Sequence, residues 1–136
     1  MNNPIHHIVY TDDDRDDHNF FCAALNQVRP AAKLSPFYRC DDLLEYLKDQ
    51  ATELPDLIFL DQNMLGNRDN ECLKEIKTIL RVKDIPVILY TTGANPKLEG
   101  YALSLGASKY VVKPIYHNDI KENLDLILTG YEQIES

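Results

Sequence analysis

The sequence predicts a doubly wound α/β fold, in which helices cover both faces of a parallel sheet. Three observations support this prediction. Five short apolar runs alternate with five segments whose apolar residues recur every three or four positions. The runs at 57–60 and 87–90 are apolar throughout, as central parallel strands are. At 136 residues, 44% of them hydrophobic, the chain has the size of one domain with a substantial core.

The strands are predicted from apolar runs bounded by turn or breaker residues. Pro36 interrupts the second run, which therefore resembles an edge strand. Pro55 and Pro86 precede the third and fourth runs. The predicted strands are 5–11, 33–39, 56–60, 87–91 and 108–112.

The helices are predicted from apolar stripes preceded by capping residues. They are expected to start, in chain order, near Asp14, at Asp41 or Asp42, at Asp69 or Asn70, at Asn95 and near Asn118. Gly106 ends the fourth. The stripes are Phe21, Ala24, Leu25 and Val28; Leu43, Leu44 and Leu47; Leu73, Ile76, Ile79 and Leu80; Leu98, Tyr101, Ala102 and Leu105; and Ile120, Leu124, Ile127 and Leu128. Right-handed crossovers then place the helices on both faces of the sheet.

Composition disfavours several classes of protein. A net charge of -8 argues against direct nucleic-acid binding and against an anionic membrane surface. No apolar stretch approaches the ~20 residues that span a bilayer. Cys22, Cys40 and Cys72 have no metal-like spacing and are interpreted as reduced thiols, with Cys22 and Cys72 in the core. We therefore expect a single cytoplasmic domain over residues 1–136.

Polar residues stand at the carboxyl ends of four predicted strands, the edge where parallel α/β sheets bind ligands. Asp12 and Asp13 follow the first strand, Asp61 the third and Lys113 the fifth, and Thr91 ends the fourth. At ~4 Å, two carboxylates repel by about 4 kcal/mol at an effective dielectric of ~20, so stable clustering requires a proton or a cation between them. Mg²⁺ prefers such ligands, and an aspartate beside it can accept a phosphoryl group. Singly, each residue has a plainer interpretation as a helix cap, a turn residue or a surface lysine.

Four segments together carry a family resemblance. They are Asp12-Asp13, residues 60–64 (LDQNM), residues 85–92 (IPVILYTT) and residues 106–114 (GASKYVVKP). With them the chain resembles, over essentially its full length, the CheY-like receiver domain of bacterial two-component response regulators. The resemblance implies the flavodoxin-like strand order 2-1-3-4-5, for which CheY is itself a standard example. It also implies a stand-alone receiver, because few residues follow the fifth helix.

The resemblance further implies a role for each matching residue. Asp61 would be the phosphoacceptor, with Thr91 and Lys113 as the switch hydroxyl and the phosphate-binding lysine. Mg²⁺ would be held by Asp12, Asp13, Asp61 and the backbone carbonyl of Asn63. Tyr110 would be the mobile aromatic switch residue, and the Lys113–Pro114 peptide would be cis. Leu65 and Asp69 replace the proline and glycine usual in the family, so we expect a differently shaped loop after Asp61.

The implied partners are a sensor histidine kinase or histidine phosphotransfer protein, and a downstream protein that binds the face formed by the fourth helix, fifth strand and fifth helix. Homodimerisation is left open. Such a domain catalyses only its own phosphorylation and dephosphorylation. One alternative is a haloacid-dehalogenase-type phosphohydrolase, since Asp12 and Asp14 form an Asp-x-Asp pair, although Asp16 stands where that family has Thr or Val. Another is a degenerate receiver that binds partners without phosphorylation.

Overall fold

A computed structural model describes residues 4–62 and 70–133. In this part of the chain the strands are β1 (His7–Thr11), β2 (Lys33–Phe37), β3 (Leu57–Leu60), β4 (Val87–Thr91) and β5 (Lys109–Val112). The helices are α1 (Arg15–Val28), α2 (Cys40–Lys48), α3 (Glu71–Thr78), α4 (Pro96–Ser104) and α5 (Asn118–Glu132), and a short 3-10 helix covers Leu80–Val82. The strands form one parallel sheet in the order β2-β1-β3-β4-β5. The predicted fold class and strand order are confirmed.

The three central strands are buried at every position, because helices cover both faces of the sheet. Pro36 lies in β2 at the edge of the sheet, where a residue without a backbone N–H is tolerated. Thr11 pairs with Leu60, and Thr91 pairs with Val112. The residues that follow β1, β3 and β5 therefore meet at the same edge as the end of β4.

The helices divide between two hydrophobic clusters. On one face of the sheet, α1 and α5 pack over an aromatic group formed by Tyr10, Phe21, Phe59 and Tyr90. On the other face, α2, α3 and α4 pack over Val9, Ile58, Leu60, Val87 and Leu89. No helix in the described ranges has the length and apolar content needed to cross a membrane.

Some helix details differ from the predictions. Helix α2 begins after Arg39, with no side-chain cap, and Asp41 and Asp42 lie in its first turn, where their charges favour the positive helix end. Leu80 is 81% exposed because the chain leaves α3 at Thr78 and enters the 3-10 helix, which breaks the α-helical period. Asp69 lies outside the described residues. Asn70 is the N-cap of α3, with a φ of 60°.

The cysteines also differ from the prediction of reduced thiols. Cys40 and Cys72 form a disulfide with their Cα atoms 5.9 Å apart, and Cys22 is an exposed free thiol. Cys72 is buried as expected, whereas the placement of Cys22 in the core was wrong. The pairing depends on the packing of α2 against α3, which a separation of 32 residues does not reveal. The bond ties together the first turns of these two helices.

Reduction of the disulfide is expected to destabilise the fold. Closing a loop of 32 residues restricts the unfolded chain, which corresponds to roughly 3–4 kcal/mol in a chain-entropy model. Urea unfolding followed by circular dichroism should show a lower midpoint with dithiothreitol. Cys22→Ser should retain this response and Cys72→Ser should lose it. An unchanged wild-type midpoint under reductant would contradict the expectation.

Candidate functional site

Backbone hydrogen bonds fix the candidate site at the carboxyl edge of the sheet. The N–H of Asp61 donates to the carbonyl of Thr11 at 2.9 Å, and the N–H of Lys113 donates to the carbonyl of Thr91 at 2.7 Å. The N–H of Asp12 donates to the carbonyl of Phe37 at 3.0 Å. These bonds extend the strand ladders by one residue. The side chains of the site therefore start from rigidly held positions.

Three carboxylates converge at this edge. One carboxylate oxygen from each of Asp12, Asp13 and Asp61 lies within 4.8 Å of the other two. Asp12 and Asp61 are buried, whereas Asp13 is exposed. Ligands of this kind suit a hard divalent cation, which takes oxygen donors and retains several waters. The exposed side of Asp13 leaves room for such waters.

Asp12 is fixed by three internal donors. Lys113 Nζ and the Tyr10 phenol donate to Oδ2 at 2.6 and 2.9 Å, and the Asp14 N–H donates to Oδ1 at 2.9 Å. Burial alone raises the pKa of the Asp12 carboxyl, but these donors outweigh burial and hold the pKa below its usual value. Burial and the Asp12 charge raise the pKa of Tyr10. The phenol therefore stays protonated and donates to an ionised Asp12.

Lys113 places its ammonium among three carboxylates. Its Nζ lies 2.6 Å from Asp12 Oδ2, 2.9 Å from Asp17 Oδ2 and 3.4 Å from Asp61 Oδ2, and its side chain is only 9% exposed. Burial lowers the pKa of the ammonium, but hydrogen bonds to Asp12 and Asp17 and the charge of Asp61 raise it above its ordinary value. Lys113 is therefore a permanent positive charge in the site.

Thr91 and Tyr110 occupy neighbouring strands near this cluster. Thr91 is 1% exposed, and its hydroxyl approaches the carbonyl of Thr92 at 3.5 Å. Tyr110 pairs with Leu89 in the ladder and packs, partly buried, on the cluster beneath α2, α3 and α4. Burial raises the pKa of the Tyr110 phenol. A partly buried ring has space on its exposed side, which a side chain that changes rotamer requires.

The prediction of a cis Lys113–Pro114 peptide was wrong, because none of the peptide bonds in the described residues is cis. Trans is the intrinsically favoured form of an X–Pro bond by about 0.5–1 kcal/mol. In the trans form the Lys113 N–H donates to the Thr91 carbonyl. The Lys113 ammonium also lies within 3.4 Å of carboxylate oxygens of Asp12, Asp17 and Asp61. The predicted ligand Asn63 and the departures at Leu65 and Asp69 lie outside the described residues.

Asp14 does not join the carboxylate cluster. It is the N-cap of α1, and its side chain accepts hydrogen bonds from the N–H groups of Asp16 and Asp17 at 2.8 and 3.2 Å. The Asp-x-Asp pair that suggested a phosphohydrolase is therefore divided between the site and a helix cap. This geometry does not favour that alternative.

Two residues of the site were missed in the sequence. Tyr10 stands two positions before Asp12 on the same strand face, so strand alternation places both side chains together. Asp17 stands four positions before Phe21, on the stripe of α1 that faces the sheet. Both signals are present in the sequence, but neither residue belongs to a motif.

Comparison with known proteins identifies one family. The model of the response regulator receiver domain matches residues 11–125. Chemotaxis protein CheY1 of Helicobacter pylori is 31% identical over 72 residues, which are 53% of this chain and 58% of CheY1. The cyclic di-GMP phosphodiesterase response regulator RpfG of Xanthomonas campestris is 26% identical over 129 residues, 95% of this chain. The chain spans only 33% of the length of RpfG.

Solved structures of similar fold cover nearly the whole chain. The phosphorylated cyanobacterial phytochrome response regulator RcpA superposes with a TM-score of 0.86 at 21% identity, covering 97% of both chains. The Mn²⁺-bound form of response regulator Rcp1 gives a TM-score of 0.83 at 22% identity, covering 96% of this chain and 97% of Rcp1. At these identities the likeness establishes the fold alone.

If the carboxylates of Asp12, Asp13 and Asp61 hold Mg²⁺, removing the charge of Asp13 is expected to weaken Mg²⁺ binding. Loss of a partner that only orients a metal ligand costs about 10–100-fold in affinity, so loss of a direct ligand should cost at least ~10-fold. Isothermal titration calorimetry of Asp13→Asn with Mg²⁺ measures this. Asp42→Asn, which removes an exposed charge from the first turn of α2, is the control. Equal Mg²⁺ affinity in Asp13→Asn and wild type would place the metal elsewhere.

Proposed function

Because the chain belongs to the response regulator receiver family, we propose that it is a phosphorylation-dependent signalling switch whose phosphoacceptor is Asp61. The observation that supports this most directly is the surroundings of Asp61. Its carboxylate lies 3.4 Å from the Lys113 ammonium and shares a cluster of oxygens with Asp12 and Asp13. These groups together can bind a divalent cation and a phosphoryl group on the same carboxylate.

Asp61 is a better nucleophile than Asp12 in this arrangement. Both oxygens of Asp12 accept hydrogen bonds from internal donors, which an attack on phosphorus would have to break. Asp13 is exposed and carries no contact with Lys113 among the ion pairs of the described residues. Asp61 is buried and contacts Lys113, as Asp12 does, but its contact with the ammonium is the longer one, at 3.4 Å against 2.6 Å.

The donor is the phosphohistidine of a sensor kinase or of a histidine phosphotransfer protein. A carboxylate oxygen of Asp61 attacks the phosphorus, and the P–N bond breaks. Its electron pair leaves with the imidazole, which takes up a proton. In dephosphorylation a water attacks the phosphorus and the bond to the Asp61 oxygen breaks, which restores the carboxylate and releases inorganic phosphate and a proton. Lys113 stabilises the phosphoryl oxygens by charge, and Thr91 can donate its hydroxyl to one of them.

The donor set fits Mg²⁺, since it consists of carboxylate oxygens on a partly exposed edge. Asp12, Asp13 and Asp61 would hold the ion, with the backbone carbonyl of Asn63 as a further predicted ligand. When bound, Mg²⁺ supplies positive charge for the phosphoryl oxygens. The chain's own contribution is to hold these carboxylates in place and, through Lys113, Tyr10 and the Asp14 N–H, to keep the pKa of Asp12 below its usual value.

The output surface is proposed to be the face made by α4, β5 and α5. Helix α4 buries only Ala102 against the core, while Tyr101 and Leu103 are 39% and 43% exposed. On the neighbouring elements Val112 is 41% and Leu126 74% exposed. A downstream protein, or a second copy of the chain, can cover these apolar side chains. Signalling of this kind takes place in the cytoplasm, where we place the protein.

Replacing Asp61 by asparagine is expected to abolish phosphorylation. An amide cannot form the acyl phosphate, and Asp61→Asn preserves the shape of the side chain. Incubation with labelled acetyl phosphate and Mg²⁺ should label the wild type and not the variant. The wild-type label should be stable in acid and lost in base. Asp56→Asn serves as a control outside the site, and full labelling of Asp61→Asn would remove Asp61 from this role.

Replacing Thr91 by alanine is expected to separate phosphorylation from signalling. Moving a switch from 1:99 to 99:1 requires about 5.5 kcal/mol, of which one hydrogen bond to a charged phosphate supplies roughly 1.5–3 kcal/mol. Thr91→Ala should therefore still be labelled on Asp61. The change that beryllofluoride causes in the switch equilibrium constant should be about ten-fold or more smaller in Thr91→Ala than in wild type.

The change in the switch equilibrium is measured by NMR from the ring resonances of Tyr110, with and without beryllofluoride. The Tyr110→Phe variant identifies these resonances. Thr92→Ala, one residue further along the exposed loop, is the matched control. If Thr91→Ala retained the full response, the signal would leave the site by another route.

A further inference from the structure

Lys113 also contacts a carboxylate that stands outside the group formed by Asp12, Asp13 and Asp61. Asp17, in the first turn of α1, places its Oδ2 2.9 Å from Lys113 Nζ. This is 0.5 Å closer than the 3.4 Å that separates the same ammonium from Asp61. The side chain of Asp17 is about one-third exposed, at 32%, whereas that of Lys113 is 9% exposed. The ammonium is thus held between α1 and β1 rather than against the proposed phosphoacceptor.

We propose that Asp17 is a positioning residue, which restrains the Lys113 ammonium and so slows phosphorylation and weakens the binding of phosphoryl groups at Asp61. The proposal rests on the proposed function of Asp61 and deepens it, since it assigns a residue that tunes the same site.

The donor capacity of the lysine supports this inference. An ammonium has three N–H donors. In this structure the two short contacts, at 2.6 and 2.9 Å, go to Asp12 and Asp17, and the contact to Asp61 is long. A phosphoryl group on Asp61 brings new anionic oxygens that require the same donors. Asp17 therefore competes with the phosphoryl group for Lys113.

The position of Asp17 is fixed by the backbone rather than by Lys113 alone. Its N–H donates to the N-cap side chain of Asp14 at 3.2 Å, a bond that an asparagine at position 17 retains. Asp17 and Lys113 also line a cavity of about 510 Å³ between α1 and the segments after β4 and β5. The side chain at position 17 can therefore change without repacking the core.

A change of Asp17→Asn is expected to accelerate phosphorylation. The amide keeps the size of the side chain but removes the charge that holds Lys113. Labelling by acetyl phosphate should be about three- to ten-fold faster than in wild type, and beryllofluoride should bind more tightly by a similar factor, the range of a partly exposed charge pair. Mg²⁺ affinity, measured separately by calorimetry, should change by less than about two-fold, because Asp17 lies outside the group formed by Asp12, Asp13 and Asp61.

Asp16→Asn is the matched control, because it removes the same charge from the same turn at an exposed position. If Asp16→Asn accelerated labelling as much as Asp17→Asn does, the effect would come from the loss of negative charge in this turn in general, and the proposal would fail. Asp17→Glu, which restores a carboxylate, should return the rate towards wild type. In a double-mutant cycle, Asp17→Asn should have no effect in the Lys113→Met background. An undiminished acceleration in that background would also overturn the proposal.

If the wild type is neither labelled by acetyl phosphate nor bound by beryllofluoride, the proposed function fails and the role of Asp17 fails with it. If the wild type is labelled on Asp61 and Asp17→Asn behaves as wild type, only the role of Asp17 is overturned. A urea unfolding curve for each variant separates these outcomes from loss of structure.

Discussion

Within 3.4 Å of one ammonium, that of Lys113, lie carboxylate oxygens from three separate segments of the chain: Asp12 after β1, Asp17 in α1 and Asp61 after β3. This charge offsets the repulsion between the buried carboxylates of Asp12 and Asp61, which is large in a medium of low dielectric. The lysine can reach all three because β5 lies beside β4 and its backbone continues the ladder past Val112. Strand order and site electrostatics are thus linked.

The aromatic cluster beneath α1 and α5 connects the core to this charge arrangement. Tyr10 stacks on Phe21 with ring centroids 4.2 Å apart and lies 6.2 Å from the ring of Tyr90. Its phenol emerges from this apolar packing to donate to Asp12. A side chain held on both sides by rings has little freedom to move. The orientation of Asp12 is therefore set partly by core packing, so that a change in the core can alter a polar site several ångströms away.

Much of this architecture could be predicted from the sequence, for identifiable reasons. The spacing of apolar residues, together with breaker and capping residues, predicted all five strands and all five helices. Because Asp61 and Lys113 follow apolar runs, they were expected at one edge of a parallel sheet. Contacts made between elements could not be predicted in this way. The disulfide of Cys40 and Cys72 depends on how α2 lies beside α3. The ion pair of Asp17 with Lys113 depends on the turn that connects β1 to α1. The geometry of the Lys113–Pro114 peptide was carried over from resemblance, with no local signal to support it.

The balance of charge explains why a cation and a lysine both belong to such a site. Among the described residues, the carboxylates of Asp12, Asp17 and Asp61 contact the Lys113 ammonium, and Asp13 joins Asp12 and Asp61 in one cluster, which leaves an excess of negative charge around this lysine. A phosphoryl group would increase that excess, because it replaces one carboxylate charge with about two. A divalent ion at the exposed Asp13 side would offset the repulsion among Asp12, Asp13 and Asp61. Lys113 follows β5, and its ammonium also contacts Asp17 of α1 at 2.9 Å. The two positive charges would therefore have separate tasks, since Asp17 contacts Lys113 and lies outside the group of Asp12, Asp13 and Asp61.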